Sequence, residues 1–239
     1  MILRRFMIHL KEQNWIAVGL DVLVVITGIF LGFQVNSWNE TRKNTDDAMY
    51  YLTELNEYLI KEIDEISSED LPSATETHAD RKRATELLYL DSWSKPERDE
   101  FALKHLSIYA VHSGNIKPPA LFALYDNGKM EHINSREVQS AIQHINEAYY
   151  NLNGYITTLR EVQLDAQSDA VAVIEYGLAE NFTEITNDND TLLNDKSIKR
   201  ALRVLTLTEA NQINVFKGFS DELIKQQSII KKYLKQQTK

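Results

Sequence analysis

Residues Ile16–Val35, IAVGLDVLVVITGIFLGFQV, decide how this chain is read. Twenty helical residues rise about 30 Å, which matches the hydrocarbon thickness of a bilayer. Thirteen of the twenty are Leu, Ile, Val or Phe. At roughly −0.3 to −0.6 kcal/mol each, they outweigh about +3 kcal/mol for the one acid in the stretch, Asp21. Trp15 and Trp38 bracket the run at the positions where amphipathic rings anchor a helix to the two interfaces. The expectation is one transmembrane helix over residues 15–38, after a leader of residues 1–14 and before an extramembrane helical domain of residues 45–239. A cleaved signal peptide fits less well, because Asp21 interrupts the apolar region, the run exceeds the usual apolar core of a signal, and no A-x-A site follows.

Charge suggests an orientation. Arg4, Arg5 and Lys11 precede the span and Arg42 and Lys43 follow it, so the positive-inside rule places the N-terminus in the cytoplasm and the bulk in the periplasm. The leader, rich in both apolar and basic residues, suits a short interfacial helix or the first turns of the span, with Arg4 and Arg5 as headgroup contacts. Residues 44–239 carry 21 Lys/Arg against 32 Asp/Glu, a net −11. An acidic domain of that kind is a poor partner for nucleic acid. The chain has no cysteine, which excludes disulfides, thiolate metal sites and cysteine nucleophiles together.

Within the span, steps of three and four residues align Ala17, Asp21, Val25, Gly28, Gly32 and Val35 on one stripe. Gly28-x-x-x-Gly32 is a spacing at which two helix backbones approach closely, so Ala17, Asp21, Gly28 and Gly32 form a candidate association seam. Three roles are open for Asp21: a hydrogen-bonding group between helices, a carboxylate that snorkels to the headgroups, or a protonatable group coupled to ion flow.

The rest of the chain reads as all-α, an antiparallel bundle of long helices. Leu52, Leu55, Leu59, Ile63 and Ile66 recur at helical steps until SSEDLPSA, where Pro72 is expected to end the run. Further segments are expected over about 75–90, from the N-cap Ser94 ahead of Pro96 to about 111, and over 120–125, the last closed by Asp126-Asn127-Gly128. Val138, Ile142, Ile145, Tyr149, Leu152, Ile156 and Leu159 mark a helix expected over 136–178, and residues 180–195 a loop. Ile198, Leu202, Leu205, Phe216, Phe219, Leu223, Ile230 and Tyr233 mark the last helix, with Glu209, Gln212 and Gln226 as polar residues on the same stripe. Such polar interruptions fix register more often than they bind a ligand.

Patterns that carry chemistry are weak. Asn187-Asp188-Asn189-Asp190 lacks the sixth-position glycine and the twelfth-position glutamate of a calcium loop, since Lys199 stands there. His144 and Glu147 share a helix face, but the companion motif and carboxylates of a di-metal bundle are missing. His105 and His112 lie seven apart with no third ligand at suitable spacing. Nucleophile-elbow, phosphate-loop, dinucleotide and zincin motifs are all lacking. The reading is therefore no enzyme, no cofactor and no metal. Near the C-terminus, Lys231, Lys232 and Lys235 either complement the helix macrodipole or meet anionic headgroups.

The run Trp15-Ile-Ala-Val-Gly-Leu-Asp21, then Gly28-Ile-Phe-Leu-Gly32-Phe-Gln34-Val, then Trp38-Asn39-Glu40, resembles the N-terminal signature of a family of uncharacterised bacterial membrane-anchored proteins. Leu121–Ile133 and Tyr149-Tyr150 are similar to that family's middle segment more loosely, with Asp126-Asn127-Gly128 in place of a Ser-Gly turn. The resemblance implies a bacterial inner-membrane protein with one N-terminal span and supplies no activity. The functional expectation is a membrane-anchored scaffold, sensor or accessory subunit whose partners are membrane lipid and either a homo-oligomer or another membrane protein. The alternative is a single-span subunit of a proton-coupled membrane complex, with Asp21 as the group that takes and releases the proton.

Overall fold

The computed structural model describes residues 15–110, 117–175 and 185–237. Among them there is no strand, and long helices dominate, as the periodicity predicts. Helix α1 runs from Trp15 to Glu65 without interruption. Pro72, expected to stop the chain, does not. A π-helical turn over Ile66–Asp70 joins α1 directly to α2, Leu71–Leu87, and the Leu71 N–H reaches back five residues to the Ile66 carbonyl. A proline ring collides with the carbonyl four residues before it and has no N–H to donate. Widening the preceding turn moves that carbonyl aside, so the proline is absorbed at the start of α2. The Ser67 and Ser68 hydroxyls donate to the Asp64 carbonyl in this turn, at 2.9 and 2.8 Å. The outcome is a rod from Trp15 to Leu87, about 110 Å long.

The rod ends where the Trp93 indole N–H donates to the Leu87 carbonyl at 2.7 Å. Helix α3, Lys95–Lys104, starts as the sequence indicates: the Ser94 N–H and hydroxyl both donate to Glu97. A 3-10 turn over His105–Tyr109 follows. Helix α4, Pro119–Tyr125, closes on Gly128, whose φ of 69° is the left-handed conformation that glycine adopts without strain. A 3-10 turn, Lys129–His132, leads to α5, Arg136–Val171, capped by the Ser135 hydroxyl. That helix stops seven residues short of the expected 178. The supposed loop before residue 195 contains a short helix, α6, Asn189–Asn194. Asp188, weighed as a calcium ligand, is its N-cap and accepts from the Thr191 N–H at 2.8 Å. Helix α7, Lys196–Gln237, completes the chain.

Three long helical paths make the bundle. Gln227 donates to Asn56 and Thr85 meets Thr206, so α7 runs antiparallel to the rod. Gln163 donates to Gln212 while Tyr149 meets Phe219 edge-on at 5.1 Å, so α5 and α7 are antiparallel as well. Two apolar cores are stacked along the bundle. The lower one gathers Leu52, Leu55 and Leu59 of α1 with Ile142, Tyr149 and Phe219. The upper one gathers Leu87, Trp93, Phe101, Ala170, Leu202 and Leu205. Between them lies a buried polar layer.

Candidate functional site

The feature that most needs a function is the first half of α1. From Val18 to Arg42 no residue is buried, and only Val18 and Asp21 are even partly covered. Trp38 is 65% exposed, and Phe30, Leu31, Phe33 and Val35 are exposed with it. The helix is long and apolar enough to cross a membrane. Burying this surface in hydrocarbon removes the exposure, and so does a second protein. Thr27 returns its hydroxyl to the Leu23 carbonyl at 2.8 Å, so this polar side chain is satisfied within the helix.

Asp21, Gly28 and Gly32 fall on one face of α1, as their spacing predicts. A methyl group added at either glycine meets nothing within 4 Å, so that face is free to receive another backbone. Asp21 is half-buried, and its Oδ2 is enclosed without meeting a hydrogen-bond donor among the described residues. The side chains of Trp15 and Ala17, together with the leader and its Arg4 and Arg5, lie outside the described residues.

The helix itself fixes how this face relates to the bundle. Twenty residues separate Gly28 from Ala48 and Gly32 from Leu52, and Ala48 and Leu52 are fully buried in the lower core. At about 100° per residue, twenty residues turn the helix through about 200°. The glycine face therefore points away from the side of α1 that the bundle covers.

The C-terminal lysines are placed by the antiparallel packing. With Gln227 on Asn56, the remainder of α7 runs back toward the apolar half of α1, so Lys231, Lys232 and Lys235 stand at the end of the bundle nearest the span. Lys129 is drawn to the same end by Asn44 at 3.0 Å and Asp47 at 3.1 Å. Beside it, Thr41, Thr45, His132 and Arg136 line a shallow groove.

The polar layer between the two cores was only half visible in the sequence. Glu209 stood out as a polar residue on an apolar stripe, whereas Arg81 carried no signal beyond its place between Ala74 and Ala84 on α2. Both side chains are fully buried and meet at 2.6 Å. Arg81 also donates to the carbonyls of Ser107 at 3.0 Å and Ala110 at 2.6 Å, tying the 3-10 turn after α3 to the rod. Burial lowers the Arg81 pKa, and the Glu209 charge opposes that shift. A second missed group lies in the lower core, where Tyr58, Glu62 and Tyr149 adjoin. Burial, reinforced by the Glu62 charge, pushes the Tyr58 phenol up to about 12, and burial raises that of Tyr149 further. Both groups are explained by packing: Arg81 and Glu209 are fully buried between the cores, and Tyr149 is buried in the lower one.

A groove of about 540 Å³ lies beside the Lys117–Asp126 ion pair and is lined by Asn146, Tyr149, Tyr150 and Asn153. No three His, Asp or Glu side chains converge as a metal site among the described residues. His144 is exposed, while His105 is fully buried and stacks on Phe101 at 5.7 Å. His112 lies outside the described residues. Compared with protein-family models, curated proteins and solved structures, the chain matches none.

Proposed function

We propose that this protein is a membrane-anchored helical scaffold or accessory subunit, held in a bacterial inner membrane by residues 15–38 and associating through the Asp21–Gly28–Gly32 face of that helix. One observation carries the reading. Helix α1 is uncovered over its apolar half and built into the core of the bundle over its other half, with no break between the two. Motion or force at the span is thereby transmitted to the bundle by a continuous helix rather than a linker. The glycine face supports a second copy as the partner. Since it points about 200° from the bundle side, two chains can meet back to back without their bundles colliding. The right-handed crossing typical of such glycine pairs, about 40°, carries the two bundles further apart as they leave the membrane. Asp21 on the same face would find its missing donor on the neighbouring helix.

The test is the mass of the protein in nanodiscs, wild type beside the double variant Gly28→Leu, Gly32→Leu. A defined oligomer that dissociates in the variant supports the seam, and a monomeric wild type overturns it. The alternative reading, with Asp21 exchanging protons in a proton-coupled complex, is separated by Asp21→Asn. That change keeps the hydrogen-bonding capacity and so keeps assembly, while it abolishes any proton-coupled activity.

A further inference from the structure

We propose that the end of the bundle facing the span is a docking surface for anionic lipid headgroups, which holds the acidic domain upright on the membrane. The inference rests on the anchored reading above.

Packing sorts the charges of the extramembrane domain along its length. Three segments meet at the end nearest the span: residues 39–47 of α1, residues 129–136, and residues 225–237 of α7. They hold eight Lys/Arg against four Asp/Glu, a net +4. The remaining extramembrane residues, 48–128 and 137–224, hold 14 against 29, a net −15. These segments are far apart in the sequence and only the fold brings them together. Several basic side chains there are exposed, among them Arg42, Arg136, Lys231, Lys232 and Lys235.

The reach is sufficient. Ten residues separate Val35 from Thr45, so the groove at Thr41 and Thr45 stands about 9 to 15 Å above the end of the apolar stretch. A headgroup layer extends about 5 to 7 Å beyond the hydrocarbon, which leaves Arg136 and His132 within about 10 Å of it. Lys235 lies eight residues beyond Gln227, about 12 Å nearer the membrane than Asn56, and so about 20 Å above Val35. The gap from the Lys235 backbone to the headgroups is then about 13 Å, comparable with the Debye length of about 8 Å, so the positive end of α7 lies within the field of an anionic surface. The domain is attracted at its base and repelled along its length, and a bundle polarised this way resists lying flat on an anionic surface.

The chain has no cysteine, so a single introduced one gives an unambiguous label. The full chain with Asn134→Cys at the base, or Ser92→Cys at the far end, is labelled with a donor fluorophore. It is placed in nanodiscs of phosphatidylcholine alone or with 30% phosphatidylglycerol, each holding acceptor-labelled headgroups. The expected result is higher transfer from position 134 in the anionic discs, low transfer from position 92 in both, and loss of the increase at high salt. In Lys231→Glu, Lys232→Glu, Lys235→Glu the increase from position 134 falls at least fivefold. The milder Lys231→Gln, Lys232→Gln lowers it in the same direction and guards against fraying of the helix end. Equal transfer from position 134 in the two compositions overturns the proposal, and so does a rise at position 92 that matches it. Failure of the chain to enter discs at all instead overturns the anchored reading, which retention after alkaline extraction reports separately.

Discussion

One helix receives two opposite treatments in this molecule. From Val18 to Lys43 the rod has no buried residue, although its Ile16–Val35 stretch is the most apolar in the chain; from Ala48 to Leu87 it is built into two cores and a buried ion pair, although its residues there are far more polar. The difference shows that hydropathy and burial within a chain are separate quantities. The embedded half is amphipathic, with Ala48, Leu52, Leu55, Leu59 and Ile66 on the side the bundle covers and charge on the other. Within the uncovered part, the Ile16–Val35 stretch is apolar on nearly every face, with Asp21 its one charged residue. A helix that is apolar nearly all round is covered either by protein or by hydrocarbon.

The largest effect should come from the embedded half. Arg81→Met leaves the Glu209 carboxylate in a dry layer without its cation, a change that removes about 3–5 kcal/mol. Chemical denaturation of the bundle measures it. The double variant Arg81→Met, Glu209→Leu should recover most of the loss, because a buried pair replaced by apolar side chains of similar volume is close to neutral. If the single variant is as stable as wild type, the layer between the cores is hydrated and the contrast between the halves weakens.

The most direct comparison is a matched pair of truncations. Leu55→Ala removes a fully buried side chain from the lower core and should destabilise by about 2–5 kcal/mol. Leu23→Ala makes the same chemical change on the uncovered half and should leave the denaturation midpoint of the bundle within about 0.5 kcal/mol of wild type. Equal losses at the two positions would mean that the first half of α1 is covered by something in the same chain, and would remove the basis for the membrane reading.

Much of this contrast is legible in the sequence. The apolar run, its flanking tryptophans, the glycine spacing and the stripes of α5 and α7 all follow from period and composition, because each depends on neighbours within a few turns. So do the Ser94 start of α3 and the turn at Gly128. Three features stay hidden, in whole or in part. Pro72 reads as a stop, because a regular α-helical turn before it would clash with the ring, and the sequence carries no mark of the π turn over Ile66–Asp70 that relieves the clash. Arg81 carries no signal of burial in the sequence, because its partners lie at Ser107, Ala110 and Glu209. Lys231, Lys232 and Lys235 are legible as candidate headgroup contacts, but that residues 39–47 and 129–136 join them at one end emerges only once α7 is known to run antiparallel to α1.

The smallest effect sharpens the comparison through pH. His105 is fully buried against Phe101 in the upper core, and burial lowers its pKa below the ordinary histidine value. The unfolded chain then binds a proton at about pH 6.5 that the folded chain refuses. Stability from this group is complete above that pH and declines as the pH falls through it, with a slope of at most about 1.4 kcal/mol per pH unit. Glu97 and Asp188 act in a different window. Hydrogen bonds from Ser94 and Thr191 hold both below the usual carboxylate range, so their contribution is present above about pH 4.5 and disappears only below it. Thermal unfolding between pH 7 and 5 therefore isolates the histidine. Wild type should lose a few degrees across that interval and His105→Phe, which keeps a ring on Phe101, should lose less. Leu23→Ala should follow the wild-type curve, since the uncovered half has no part in the upper core. Parallel curves for wild type and His105→Phe would show that His105 opens to water well below the unfolding temperature, and would place the weak point of the embedded half at the 3-10 turn that Arg81 ties to the rod.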